Sequence, residues 1–259
     1  MPPPILRHKA HSAPSVFQPQ NLIRDARTQK GLDAAEVPPL CVLDPDGDIV
    51  RHLVRIGDGA RSTTWACYHS QMYLIERAGI PIGIVDCAVG APYAVLIAEQ
   101  AFASGAKLLV SITSSGQLAT LGETPYFVLV ERALRDEGTS YHYLPADEFA
   151  EADPAHIDAA AVALDGAGLQ IHRGATWTTD APFRETETVL AKGRTMGLAA
   201  IEMECAALYA FAQARGRPVI CLAHVTNTMA VNEGDFEKGA HGGAEDALLL
   251  IERLAALAI

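Results

Sequence analysis

Apolar and polar residues fall into blocks whose period switches repeatedly along the chain, and the switches mark its elements. Residues 40–43 are an apolar run that breaks into Asp44-Pro45-Asp46-Gly47, a strand followed by a turn with helix-start residues. A helix is expected over 48–56. Residues 67–76 and 80–89 read as neighbouring strands around an Ala78-Gly79 turn, and Gly90-Ala91-Pro92 stops the second. An amphipathic helix follows over 94–104, with Gly105 as its cap. The continuous apolar run 108–112 reads as a buried parallel strand ending in Thr113-Ser114-Ser115-Gly116. Further on, 126–129, 141–144 and 169–173 read as strands, and 155–167 and 185–196 as helices. Strand 219–225 ends in Thr226-Asn227-Thr228. The polar, glycine-rich stretch 232–243 reads as a loop, and 245–257 closes the chain as an amphipathic helix. Alternation of strand and helix implies an α/β fold, with helices on both faces of a parallel or mixed sheet. Residues 1–38, interrupted by prolines, form an N-terminal arm with a short helix near 21–31. The arm is either a flexible tail or a segment packed on the body or on a neighbouring subunit. Residues 39–259 form one domain.

One stretch does not fit a purely structural pattern. Ala199-Ala200-Ile201 reads as a strand entering Glu202-Met203-Glu204, and Ala206, Ala207, Ala210, Phe211 and Ala214 then recur at helical spacing. Two carboxylates thus stand at the mouth of a largely buried helix. They are either first-turn acids facing the helix dipole or part of a polyol site that takes hydroxyl protons from a sugar. The polar clusters at 113–116, 176–180, 202–204 and 226–228 all follow apolar runs, where open α/β sheets gather ligands.

Composition narrows the chemistry. The 259 residues are 49% hydrophobic, enough for a sizeable core, and the net charge of −11 argues against nucleic-acid binding. There are five cysteines and no CxxC pair, and most of them read as core residues in a reducing compartment. Neither a signal-peptide core nor a run of about 18 apolar residues is present, so a cytoplasmic protein without membrane contact is expected. There is no P-loop, no GxGxxG and no GxSxG. His69, His142 and His172 lack metal spacing, His224 reads as a core residue, and no metal site or cofactor is expected.

Ile201-Glu202-Met203-Glu204 with Leu208-Tyr209 resembles the Glu-Met-Glu signature of the nucleoside phosphorylase-I superfamily, over about residues 40–255. In the same order, Asp44-Pro45-Asp46 resembles its Gly-Asp-Pro turn, and Val89-Gly90-Ala91-Pro92 its Gly-x-Gly-x-Pro step. Residues 111–116 resemble its Arg-x-Gly-Thr-x-Gly turn, and Thr178-Thr179-Asp180 its base loop. Val225-Thr226-Asn227 resembles the uridine phosphorylase branch. The resemblance implies a three-layer α/β/α fold with a mixed, mainly parallel sheet. It implies cleavage of a nucleoside N-glycosidic bond, phosphorolysis by default with inorganic phosphate as co-substrate, and a homo-oligomer, a dimer or a trimer of dimers. Carried over, Glu204 would accept the ribose hydroxyls, with Met203 packed against the sugar and Glu202 supporting them. Phe183, Arg184, Thr178 and Asp180 would form the base pocket. Arg184 would stabilise the leaving base, and Asn227, lacking a titratable proton, would stand where purine enzymes keep an acid. Gly90, Ser111, Thr113, Ser114 and Arg61 would face the acceptor. Gln18 replaces a histidine that reaches the ribose across a dimer. Two arginines expected at the phosphate are replaced by Gly47 and Ser111, and Arg51 and Arg55 could swing in. The departures admit hydrolysis by water as an alternative, and a non-catalytic binding protein as a second.

Overall fold

The structure, a computed structural model, describes residues 3–229 and 235–259. Its elements run α1 (Pro19–Lys30), β1 (Leu40–Asp44), α2 (Asp48–Ile56), β2 (Ala60–Arg61), β3 (Tyr73–Arg77), β4 (Ile80–Asp86), α3 (Ala91–Ala103) and β5 (Leu108–Gln117). There follow β6 (Tyr126–Asp136), α4 (Ser140–Tyr143), β7 (Phe149–Glu151), α5 (Pro154–Leu164), β8 (Ile171–Thr179), α6 (Glu187–Thr195), β9 (Leu198–Glu202), α7 (Cys205–Arg215), β10 (Val219–Asn227) and α8 (Ala244–Ala255). No helix among the described residues is long and apolar enough to cross a membrane.

The expected α/β class holds, with a large mixed sheet. β4, β1, β5 and β10 are parallel neighbours, and β1, β9 and β10 are buried at every position, as the unbroken apolar runs require. The sheet also does something the alternation of elements did not reveal. β10 pairs with β5 on one side and β6 on the other, β6 continues to β8, β8 to β9, and β9 returns antiparallel to β5. Five strands therefore close on themselves, and β1, β4, β3 and β2 extend from the closed part as an open wing. Closure removes two sheet edges and gathers the ends of β5, β8, β9 and β10.

Helix α7 shows why its sequence is rich in alanine. Cys205 to Phe211 are all buried, with α7 packed against α3, α4, β6 and β7, so only small side chains fit on most of its faces. By contrast, α8 buries one stripe of Ala247, Leu248, Leu250, Ile251 and Leu254. In the arm, α1 packs Ile23 and Ala26 on Ala66 and Ala103, so this part of it is docked on the body.

Several expected boundaries move. Thr113–Gly116, Thr176–Thr179 and Thr226-Asn227, expected beyond the apolar strands, lie inside β5, β8 and β10, because each has a partner strand that continues alongside. Residues 141–144, expected as a strand, form the short helix α4, since the Glu137 carboxylate accepts the Thr139 and Ser140 N–H groups at its start. The expected strand 67–76 begins only at Tyr73, and β7 is an additional strand on the edge of β6. Of the expected loop 232–243, residues 232–234 lie outside the described residues, and a 3-10 turn spans Ala240–Gly243.

Candidate functional site

Where the strands converge lies a cavity of about 360 Å³. Ser114, Ser115 and Gly116 of β5, Ile201 and Glu202 of β9, Met203, and Asn227 of β10 form its floor. Pro182, Phe183, Glu185, Met229 and Phe236 form its rim. Phe183 is 99% exposed and Phe236 61% exposed, two large apolar faces turned to solvent at its mouth. Such exposure beside a cavity is suited to stacking on a flat ligand.

The two acids of the Glu-Met-Glu segment do different work. Glu202 is a strut: its Oε1 accepts the Thr176 and Thr178 hydroxyls at 3.0 and 2.5 Å, and its Oε2 accepts the Glu204 and Cys205 N–H groups at 2.6 and 2.8 Å. It thereby caps α7 from the preceding strand, satisfying N–H groups that a helix start leaves unpaired. Thr178, with its hydroxyl also taking the Ala206 N–H at 2.9 Å, belongs to this strut and does not line the cavity. Glu204 points elsewhere. It is 0% exposed, its Oε1 accepts the Gly90 N–H at 2.6 Å, and its Oε2 accepts the Thr113 hydroxyl at 2.8 Å. Glu204 thus ties the α7 start to β5 and to the N-terminus of α3, and its neighbour Met203 lines the cavity. Burial pushes both carboxyls up, and for Glu204 the charge of Glu202 adds to it. A carboxylate has about four acceptor sites, so two protein donors leave Glu204 with capacity for more.

Some polar side chains in the cavity have no partner among the described residues. The Ser115 hydroxyl is buried and unpaired, and Glu185 makes no hydrogen bond or ion pair among the described residues. Glu185 is half-buried, and burial raises its carboxyl to about 7. Sequence reasoning passed over it as the first residue of a helix. The available signal was a carboxylate adjoining Phe183-Arg184 in the base loop. Asn227 is more occupied: its Oδ1 accepts the Met229 N–H at 2.9 Å and its Nδ2 donates to Thr226 Oγ1 at 3.2 Å.

Other expected residues sit outside the cavity. Arg184 is exposed and absent from the lining. Asp180 takes the Gly138 N–H at 2.8 Å and lines a separate groove of about 610 Å³ between the arm, α3 and α4. Gln18 starts α1 and donates to the Ser15 carbonyl. Arg61 lies on exposed β2, its Nε donating to Gln71 at 2.6 Å.

On the acceptor side, Gly90 and Thr113 serve Glu204, and Ser111 is fully buried, its hydroxyl without a partner among the described residues. Gly47 has φ +73, and a Cβ on it would meet Arg51 Nη1 at 2.8 Å, so the Arg51 guanidinium fills the space above that glycine. Arg51 donates to Asp48 at 2.6 Å and to the Asp46 carbonyl at 2.8 Å, and Lys238 bridges Asp46 and Asp48 at 3.0 and 2.8 Å. Asp44 is buried beneath this turn. Burial raises its carboxyl to about 7, against the Val50 N–H, and Asp46, Asp48 and Asp86 add to the rise. Four carboxylates thus cluster around two cations. A trio of ligand-type side chains, His52, His241 and Glu245, comes within 4.8 Å on α2 and the approach to α8, but none lines the cavity and Arg55 holds His52 Nδ1 at 2.8 Å.

Known proteins are similar to this chain in sequence and in fold. A uridine phosphorylase of Thermococcus kodakarensis is 26% identical over 239 residues, covering 82% of this chain and 84% of that protein. A guanosine phosphorylase of Halorubrum lacusprofundi is 25% identical over 222 residues, covering 82% and 90%. Among solved structures, a purine nucleoside phosphorylase of Toxoplasma gondii in complex with immucillin-H superposes with a TM-score of 0.72 at 17% identity, covering 86% and 92%. An AMP nucleosidase of Bacteroides thetaiotaomicron gives 0.71 at 18%, covering 93% and 97%. The model of the phosphorylase superfamily matches residues 45–256, and the chain belongs to that family.

Proposed function

We propose that the chain cleaves the N-glycosidic bond of a nucleoside and passes the glycosyl group to water. The base lies between Phe183 and Phe236 and the sugar against Met203, with Glu204, buried outside the cavity lining, holding that segment through Gly90 and Thr113. Similar proteins are named for phosphorolysis and for nucleosidase activity, so the acceptor depends on this chain's own residues. The observation that favours water is the state of the acceptor half. Its obvious donors, the Gly90 N–H and the Thr113 hydroxyl, already serve Glu204. Its cations, Arg51 and Lys238, are matched by Asp46 and Asp48. A phosphate dianion needs charge-assisted donors to offset its desolvation, whereas neutral water does not.

Phosphorolysis is the second reading. It is favoured by the position of the Arg51 guanidinium in the space above Gly47, where it can stand in for an arginine at 47. Arg51→Ala separates the two. Under hydrolysis the variant releases base as the wild type does, with or without phosphate. Under phosphorolysis it loses the phosphate-dependent rate. Product analysis with uridine, inosine, guanosine and adenosine decides the chemistry: free sugar marks water, and sugar 1-phosphate marks phosphate. A wild type that releases base from none of them would support a non-catalytic binding protein.

A further inference from the structure

The cavity wall holds two titratable side chains among the described residues, Glu185 and Glu202. Glu202 is saturated by four donors from β8, the residue after Met203 and the start of α7, and it cannot release its grip without exposing them. Glu185 has no such ties. It follows the 3-10 turn Pro182–Arg184, lines the same cavity as Phe183, Asn227 and Met203, and is half-buried without a hydrogen-bond partner among the described residues. Glycosidic cleavage leaves a pair of electrons on the base, and a base leaves most easily when a proton meets that pair. Asn227 has no proton to give and its amide is engaged by Met229 and Thr226. Arg184 is outside the lining, and Asp180 is committed to Gly138 in the other groove.

We propose that Glu185 is the general acid that protonates the leaving base. This rests on the glycosidic-cleavage reading above. As the C1′–N bond breaks, its electron pair stays on the base, and the Glu185 carboxyl proton passes to a ring nitrogen or conjugated carbonyl oxygen of the base. Water completes the C1′–O bond and releases its proton to solvent, and the Glu185 carboxylate regains a proton from water. The environment keeps the acid poised. The elements around the cavity carry Glu202 on β9, Arg184 on the turn, Glu187 on α6, and Asp235 and Glu237 beside Phe236. Burial alone, with no contribution from these charges, lifts the carboxyl to about 7.

The test compares two leaving groups. Uridine and inosine need a proton on the departing base, whereas p-nitrophenyl β-D-ribofuranoside releases a phenolate that needs none. For the wild type, kcat/KM on the nucleosides should fall as pH rises through about 7, because only the protonated acid works. Glu185→Gln should lose about 10²–10⁴-fold on the nucleosides and flatten that profile, while keeping its rate on the p-nitrophenyl riboside. Glu185→Asp should restore the pH-dependent limb. Equal losses on both substrates, or an unchanged pH profile in Glu185→Gln, would overturn the proposal and leave glycosidic cleavage standing. A wild type inactive on the riboside and on all four nucleosides of the panel would instead overturn the cleavage reading, and this proposal with it.

Discussion

At the scale of single residues, the Glu-Met-Glu segment divides its labour. The sequence shows two acids one residue apart at the mouth of an apolar helix. It does not show which is the strut, because that depends on Thr176 and Thr178 arriving from β8, a strand some 25 residues earlier in the chain. Glu202→Ala removes the partner of two hydroxyls and two N–H groups at once. Each buried donor left unpaired costs about 1–3 kcal/mol, so we expect a loss of about 3 kcal/mol or more in urea unfolding. Thr113→Val should be milder in stability, about 1–2 kcal/mol, since it removes one bond of two from Glu204. It should also impair turnover by loosening the carboxylate assigned to hold the Met203 segment beside the cavity. An unchanged KM and kcat in Thr113→Val would count against that assignment. Glu185 illustrates the limit of local reading. A glutamate at a helix start is ordinary, and only the fold turns it towards a cavity without a partner.

At the scale of elements, periodicity located most helices and buried strands, since α2, α3, α7, α8, β1 and β10 are set by continuous or striped apolar runs. It placed the polar ends of β5, β8 and β10 beyond the strands, because serine and threonine favour turns locally. Pairing across the sheet outweighs that preference: Ser114 and Ser115 stay in the ladder opposite His224 and Val225, and Thr178 opposite Glu202. The turn between β1 and α2 carries a prediction of its own. Gly47 adopts φ +73 beneath Arg51. Gly47→Ala should therefore cost about 1–2 kcal/mol from the left-handed backbone, measured as a lower urea midpoint. A neutral effect would mean that the turn relaxes and the Arg51 guanidinium moves aside.

At the scale of the whole molecule, closure of the five-strand ring was beyond local pattern, for it depends on β10 joining β5 and β6 simultaneously. That closure brings several chain segments to one cavity. In the open wing, burial at the end of β1 has a consequence for stability through Asp44, whose carboxyl rises from 3.8 to about 7. A raised carboxyl binds its proton more tightly when folded. Its contribution is therefore present in full below about pH 4 and is lost as pH rises through about 7. Asp44→Asn should remove this dependence, matching the wild type near pH 4 and exceeding it at pH 8 by up to roughly 4 kcal/mol. Parallel stability–pH curves for the two proteins would refute that role. The central claim, glycosidic cleavage with water as acceptor, is tested most directly by identifying the sugar product of the nucleoside panel in phosphate-free and phosphate-containing buffer. The structure predicts free sugar and base in equal amounts, at the same rate in both. Base release only with phosphate, with sugar 1-phosphate as product, would contradict it.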